Sequence, residues 1–193
     1  MERILDTAAR LVVDDGVDRL STRGIAESAQ VPVASLYQYF ADKDDILLAL
    51  VERDIAEMDR QVAADLGALD RLSVSSIVAA TMNAFVTVYR DRPAFVEIWL
   101  RGRTNQAIRE YGRAHNEQVA HDLHALARGL GLVTDEGTEQ IARIAVEMGD
   151  RLFQLAYEET LDGDPAIISE AVTLLTTYLQ RYATPAGLTG VEV

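Results

Sequence analysis

Two short apolar-spaced runs interrupted by Gln30-Val31-Pro32 constrain this chain more than any other stretch. Ser21 can cap a helix through Arg23-Gly-Ile-Ala-Glu-Ser-Ala29, its hydroxyl accepting from an otherwise unpaired amide of the first turn. Pro32 ends that run, because it disfavours an α conformation at Val31. It suits the first turn of a new helix, Val33 to Phe40, where its missing N–H is no loss. Ile25, Ala26, Val31, Leu36 and Phe40 then fall where two helices crossing over a tight turn need apolar or small contacts. This is the spacing of a helix-turn-helix, a device for reading DNA.

The second helix of the pair carries Tyr37 and Tyr39 with Ser35 and Gln38, hydrogen-bonding groups without negative charge. Such side chains reach phosphates, which fix register, and base edges, which supply sequence choice. The competing reading is half-buried packing of both tyrosines on a small domain. Lys43, the only lysine in the chain, precedes Asp44-Asp45, which begin the next helix.

T-R-G-I-A, V-P-V-A-S-L-Y-Q-Y-F and K-D-D-I-L together resemble the N-terminal domain of the TetR family of transcriptional repressors, over roughly the first quarter of the chain. The resemblance implies phosphate contacts from Ser21 or Thr22, Ser35, Tyr37 and Lys43. It also implies base-edge contacts from Val33, Ala34 and Gln38, with Tyr39 able to make either. Arg23 joins this set as a cation flanking the two short helices. There are two departures from the family pattern. Gln30 stands where a glycine usually takes a left-handed turn, a conformation that costs other residues about 1 kcal/mol or more. Pro32 replaces the usual serine or threonine cap.

Apolar residues make up 49% of the 193, so disorder is excluded and a sizeable core is possible. Their helical period, with only four prolines, points to an all-α protein that requires no sheet. The absence of cysteine excludes disulfides, thiolate metal sites and cysteine nucleophiles. No segment approaches 18 uninterrupted apolar residues and the N-terminus has no leader-like pattern, which points to a soluble cytoplasmic protein without a membrane partner. The net charge of -13 argues against broad DNA affinity, and residues 1–50 hold five basic side chains against nine acidic ones. Specific, salt-weakened binding is the expectation, helped by the attraction of helix N-termini for phosphate.

The organisation expected is a three-helix helix-turn-helix domain over 1–46, a larger helical ligand-binding and dimerisation domain over 47–183, and a loose tail over 184–193. A helix from Arg3 to Asp14 completes the first unit, and one from Asp44 to about Leu66 is shared between the two. Further helices are expected from Val74 to Arg90, Gln106 to Arg128, Glu139 to Glu158 and Ala166 to Tyr182, with a short piece from Pro93 to Gly102. The last two long helices are apolar on two faces, hence have two partners. On the first, Ile141, Ile144, Ala145, Met148, Leu152, Leu155 and Ala156 form one face and Val146, Phe153 and Tyr157 a second; on the other, Ile168, Ala171, Val172, Leu175 and Leu179 lie on one side and Ile167, Leu174 and Tyr178 on another. One face of each is expected to pack inward and the other to meet its copy across a two-fold axis, as the family resemblance also implies.

Met82, Phe85, Tyr89, Trp99, Tyr111, His115, Phe153 and Tyr157 are candidates to line an effector pocket, against the plainer reading that they are core. His121 and His124 form an H-x-x-H pair, but no further histidine exists to complete a site with His115, so no metal and no cofactor is expected. Arg143, Glu147 and Arg151, spaced four apart, read as an exposed charge ladder. The function expected is a homodimeric repressor, released from a palindromic operator in double-stranded DNA when a small apolar effector enters the larger domain. The alternative is a helical small-molecule-binding protein or enzyme whose N-terminal unit is only structural. A non-enzyme is favoured, since neither a Gly-rich phosphate loop nor a plausible nucleophile–base pair is present.

Overall fold

In a computed structural model describing residues 1–102 and 105–192, the chain begins with helix α1, Glu2–Asp15, whose Ile4, Leu5, Ala8 and Val12 face inward. Gly16, at φ 84°, ends it, and a 3-10 turn over Val17–Arg19 leads to Ser21. The Ser21 hydroxyl accepts from the Gly24 amide at 3.1 Å and caps α2, Thr22–Ser28. Ile25 and Ala26 of α2 meet Leu36 of α3, Val33–Leu36, and all three are fully buried. The second helix is shorter than the expected Val33 to Phe40, because the amides of Tyr39 and Phe40 both close on the Leu36 carbonyl, at 3.0 and 3.1 Å, and tighten the chain into a turn. Pro32 precedes α3 in an extended conformation, ψ 135°, as its N-cap rather than as its first helical residue. Gln30 adopts the left-handed conformation that its position demands, φ 53°.

Asp42 caps α4, Lys43–Gly67, by accepting from the Asp44 and Asp45 amides. This helix buries Ile46, Leu47, Leu50 and Val51 along its first half and Ile55 and Met58 further on, so one continuous core runs from the short helices into the rest of the molecule. The remaining long helices are α5, Val74–Asp91, α7, Gln106–Gly129, α8, Glu139–Ala156, and α9, Pro165–Gln180. Between α5 and α7, a single turn, α6, Pro93–Phe95, continues as a π-helical stretch over Val96–Arg101. Helix α4 packs on α5, α5 on α9, α9 on α8, and α8 on α7.

One acid is buried in this frame. Asp54 of α4 is 1% exposed and lies 3.1 Å from the Arg53 guanidinium and 3.8 Å from that of Arg92, next to α6. Arg53 also donates to Asp6 of α1 at 2.8 Å, so the network ties three elements together. Burial nevertheless raises the Asp54 pKa by more than Arg53 and Arg92 lower it.

The expectation for the chain's end is corrected. The segment beyond Thr184 is no loose tail: through Glu192 it is seated. Thr184 caps α10, Pro185–Thr189, and its amide and hydroxyl donate to Leu132 O and Gly131 O at 2.9 and 2.7 Å. Val191–Glu192, strand β2, pairs antiparallel with Arg71–Leu72, strand β1, although no sheet was required by the sequence. Buried backbone groups in the connections flanking α5 and α7 demand partners, and this segment supplies them. The legible signal was Thr184-Pro185, a cap followed by proline at the first helical position. Of the two apolar faces of α8 and α9, the inner and outer are distinct. Phe153 and Tyr157 turn inward at 1% exposure each, while Ile144, Leu155 and Leu174 stand outward at 40%, 44% and 43%.

Gly187 abuts the Leu132 carbonyl so closely that an added Cβ would lie 1.9 Å from its oxygen. Gly187→Ala should therefore reduce unfolding free energy in urea by about 1–3 kcal/mol. Gly129→Ala, where a Cβ meets nothing within 4 Å, should not reduce it. Equal stabilities of the two variants would mean that the C-terminal segment is not seated.

Candidate nucleic-acid interface and ligand cavity

Burying Ile25, Ala26, Leu36 and Phe40 leaves the other side of α2 and α3 to solvent. Val33, Ala34 and Gln38 are exposed, and Tyr37 and Tyr39 are 53% and 58% exposed, which is not the half-buried packing that competes with a binding role. The Tyr37 and Thr22 hydroxyls are hydrogen-bonded at 3.2 Å, which couples the two helices on that side. Ser21 uses its acceptor capacity on the cap and retains an O–H to donate; Ser35 is half-buried. The Lys43 ammonium donates to Val17 O at 3.4 Å, so it is held beside the turn that follows α1. Arg23 is exposed and makes no ion pair among the described residues, and the same holds for Arg19, which the sequence reading did not single out. Elsewhere in this unit Arg10 bonds Ser28 at 2.6 Å and Arg3 bonds Gln30 O at 3.4 Å. The amides opening α4 are occupied by Asp42, and Asp45 accepts from Ala41, so this helix start offers phosphate no attraction.

A cavity of about 140 Å³ opens among α4, α5, α7, α8 and α9. Met82, Phe85, Tyr89, Trp99, His115 and Phe153 line it, as six of the eight candidates. The other two do not. Tyr157 lies in the core behind it, edge-on to Tyr89 at 5.2 Å and pressed on Gly163. Tyr111 is half-buried on α7 near Glu52 and Asp59. The aromatic wall is continuous: Phe85 stacks on Phe153 at 5.6 Å, Tyr89 meets Phe153 edge-on at 5.2 Å, and Phe95 stacks on Trp99 at 5.8 Å. Trp99 reaches its place because α7 has a glycine there; a Cβ on Gly112 would sit 2.1 Å from the indole edge. His115 faces Asp59 at 2.9 Å, His124 faces Gly137 O at 2.9 Å, and His121 faces Glu139 at 3.2 Å, so the three histidines have separate partners.

Several polar lining residues were missed, Thr81 and Asp150 among them. Thr81 Oγ1 is buried without a hydrogen-bond partner among the described residues, a group that a ligand can satisfy. Asp150 also lines the cavity. Reading Arg143, Glu147 and Arg151 as an exposed ladder fits those three, all exposed, but Asp150 is one position from Arg151 and turns inward with Val146 and Phe153. That i, i+4, i+7 spacing was the available signal. Burial raises the Asp150 pKa, Trp99 opposes this as a hydrogen-bond donor, Glu147 adds to it, and Gln154, donating at 2.8 Å, and Arg151 oppose it. Burial, followed by the Asp150 charge, holds the Tyr89 hydroxyl well above its ordinary pKa and so neutral.

Two family models match. One, described as bacterial regulatory proteins of the tetR family, covers residues 4–50; the other, described as the tetracyclin repressor-like C-terminal domain, covers residues 72–183. An uncharacterized HTH-type transcriptional regulator of Mycobacterium tuberculosis is 26% identical over 191 residues, covering 99% of this chain and 92% of that one. Among solved structures, a TetR-family transcriptional regulator from Streptomyces coelicolor is 30% identical with TM-score 0.74, covering 94% of this chain and 98% of its own. The multidrug binding protein EbrR complexed with imidazole is 25% identical with TM-score 0.70, and 96% of each chain is covered. No helix among the described residues is long and apolar enough to cross a membrane.

Below the ordinary aspartate value of 3.8 the Asp150 carboxyl is protonated in the folded and unfolded chain alike and does not affect their balance. Above its raised folded value it is ionised in both, and the folded state bears the penalty of a buried charge. Asp150→Asn should therefore melt above the parent at pH 7, with a difference in Tm that closes as pH is lowered toward 3.8. A difference that stays constant across that range would contradict burial as the cause.

Proposed function

Because the chain belongs to the TetR family of transcriptional regulators, we propose that it is a homodimeric, ligand-responsive repressor acting in the cytoplasm on a palindromic operator. The observation that carries this reading is the course of α4. Its first half buries Ile46, Leu47 and Leu50 in the core shared with the short helices, and its Ile55 and Met58 line the cavity. A molecule pressing on Ile55 and Met58 must shift the same rigid helix that orients the DNA-reading unit. Residues 1–46 then form the reading domain, and the chain from 47 onward the effector-binding and dimerisation domain.

In this reading α3 enters the major groove with Val33, Ala34 and Gln38 at base edges. Ser21 or Thr22, Arg23, Ser35, Tyr37 and Lys43 hold phosphates, and Tyr39 reaches either. Met82, Phe85, Tyr89, Trp99, His115 and Phe153 surround the effector, while Tyr111 and Tyr157 support the wall from outside. EbrR, bound to imidazole in its solved structure, is the precedent for a small molecule in a chain of this shape. The exposed Ile144, Leu155 and Leu174 give α8 and α9 an apolar outer face that a second copy would cover in a four-helix bundle. Half-sites would then lie about one helical turn of DNA, roughly 34 Å, or somewhat more apart.

An operator selected from a random duplex pool supplies the test. Tyr37→Ala should weaken binding to all duplexes, while Gln38→Ala should cost about 1–3 kcal/mol on the selected operator and flatten the sequence preference. Sedimentation should show both variants as dimers. Unchanged operator affinity in Tyr37→Ala would remove that residue from the interface, and recovery of no preferred sequence would remove the repressor reading.

A further inference from the structure

Asp150 is the only carboxylate lining the cavity among the described residues, and neither arginine nor lysine lines it. The two lining histidines are already engaged, His115 with Asp59 and His124 with the Gly137 carbonyl. Within a wall that is mostly aromatic and aliphatic, this leaves one negative group whose opposing cation, Arg151, is exposed at the surface. The rings of Trp99 and Tyr89 stand beside that carboxylate, Trp99 as a hydrogen-bond donor and Tyr89 as a phenol that feels its charge. An anionic guest would face Asp150 with no cation to hold it, and a neutral apolar guest would leave its charge balanced only by the hydrogen bonds that Trp99 and Gln154 donate. A cation with an apolar surround satisfies both the acid and the electron-rich ring faces. The free space, about 140 Å³, is near that of cavities that take a benzene-sized guest.

We infer that the effector is a small lipophilic organic cation, an aromatic or quaternary ammonium, with its charged nitrogen against Asp150 and the rings of Trp99, Tyr89, Phe85 and Phe153 around its apolar part. This rests on the reading of the cavity as the effector site. Burial holds the Asp150 carboxyl above its ordinary pKa in the empty protein, the response of an acid that lacks a close counter-charge. Thr81 Oγ1 adds an unused hydroxyl to the same wall, able to accept from a protonated amine.

Phenyltrimethylammonium and tert-butylbenzene share shape and differ in one atom, a charged nitrogen in place of carbon. Trp99 is the only tryptophan in the chain and lines the cavity, so its emission reports on occupancy. Titrated into the full-length protein, the cation should bind at least ten-fold tighter than the hydrocarbon and should release the selected operator. In Asp150→Asn the preference should vanish while tert-butylbenzene binds as before, which also shows that the variant is folded. Equal binding of the two probes to the parent protein overturns the cation assignment and leaves the cavity as a ligand site. A preference that survives in Asp150→Asn overturns the role of that carboxylate. If neither probe changes Trp99 emission, both the inference and the cavity reading fail.

Discussion

The architecture turns on a carboxylate that would be more comfortable elsewhere. Asp54 lies almost wholly buried between Arg53 and Arg92, and Arg53 extends the network to Asp6 on α1. Taking such a group out of water costs several kcal/mol, and an ion pair in the interior rarely does more than offset this. Here the balance is visible in the Asp54 pKa, which burial raises despite two guanidinium groups. The network is therefore poorly explained as a source of stability. What it supplies is orientation: Arg53 reaches from Asp54 to Asp6 of α1, and Arg92 approaches the same carboxylate from the turn before α6, so the network favours one placement of α4 against both. Apolar packing alone tolerates slippage; a buried charge does not.

That constraint gives the shared helix its meaning. Upstream of Asp54, α4 is embedded among the short helices through Ile46, Leu47 and Leu50; one residue downstream, Ile55 faces the cavity. The pinned residue thus sits at the boundary between the two roles of the helix. A guest in the cavity cannot move Ile55 and Met58 without also changing the geometry of Asp54, Arg53 and Arg92. A ligand shifts such an equilibrium only by its differential affinity for the two arrangements. A junction in which few arrangements satisfy the buried charge keeps those states discrete.

How much could be read from the sequence follows the range of the interactions involved. The helix-turn-helix was legible because its determinants are local: a serine cap, a proline, and five apolar positions within sixteen residues of one another. The left-handed φ of 53° at Gln30 was legible through the family resemblance, in which a glycine takes that turn. Which face of α8 and α9 packs inward stayed open in the sequence, because a helix apolar on two sides does not say which side meets its own chain. Size decided it: the rings fill the large interior space beside Tyr89, and Ile144, Leu155 and Leu174 are left outside. The C-terminal segment was misread because its partners, Leu132 and Arg71–Leu72, are some fifty to a hundred and twenty residues away. Asp150 was hidden by its charge, since a charged residue next to an exposed ladder is ordinarily exposed too.

The same distinction between local and global placement resolves the acidity. A chain of net charge -13 is repelled by DNA at long range. At contact range the picture differs, because residues 33–41 contain no charged side chain at all. Several acids of the first unit are also neutralised locally: Asp6 and Glu2 by Arg53, and Asp14 by Arg10. The face proposed to meet DNA thus presents hydroxyls, an amide and two small apolar groups, flanked by Arg23 and Lys43. Such a face gains little from phosphate charge on an arbitrary duplex. Its preference must come from groups that match particular base edges, and the acidity, which lowers affinity for every duplex alike, leaves the gap between the right sequence and the wrong one to those contacts.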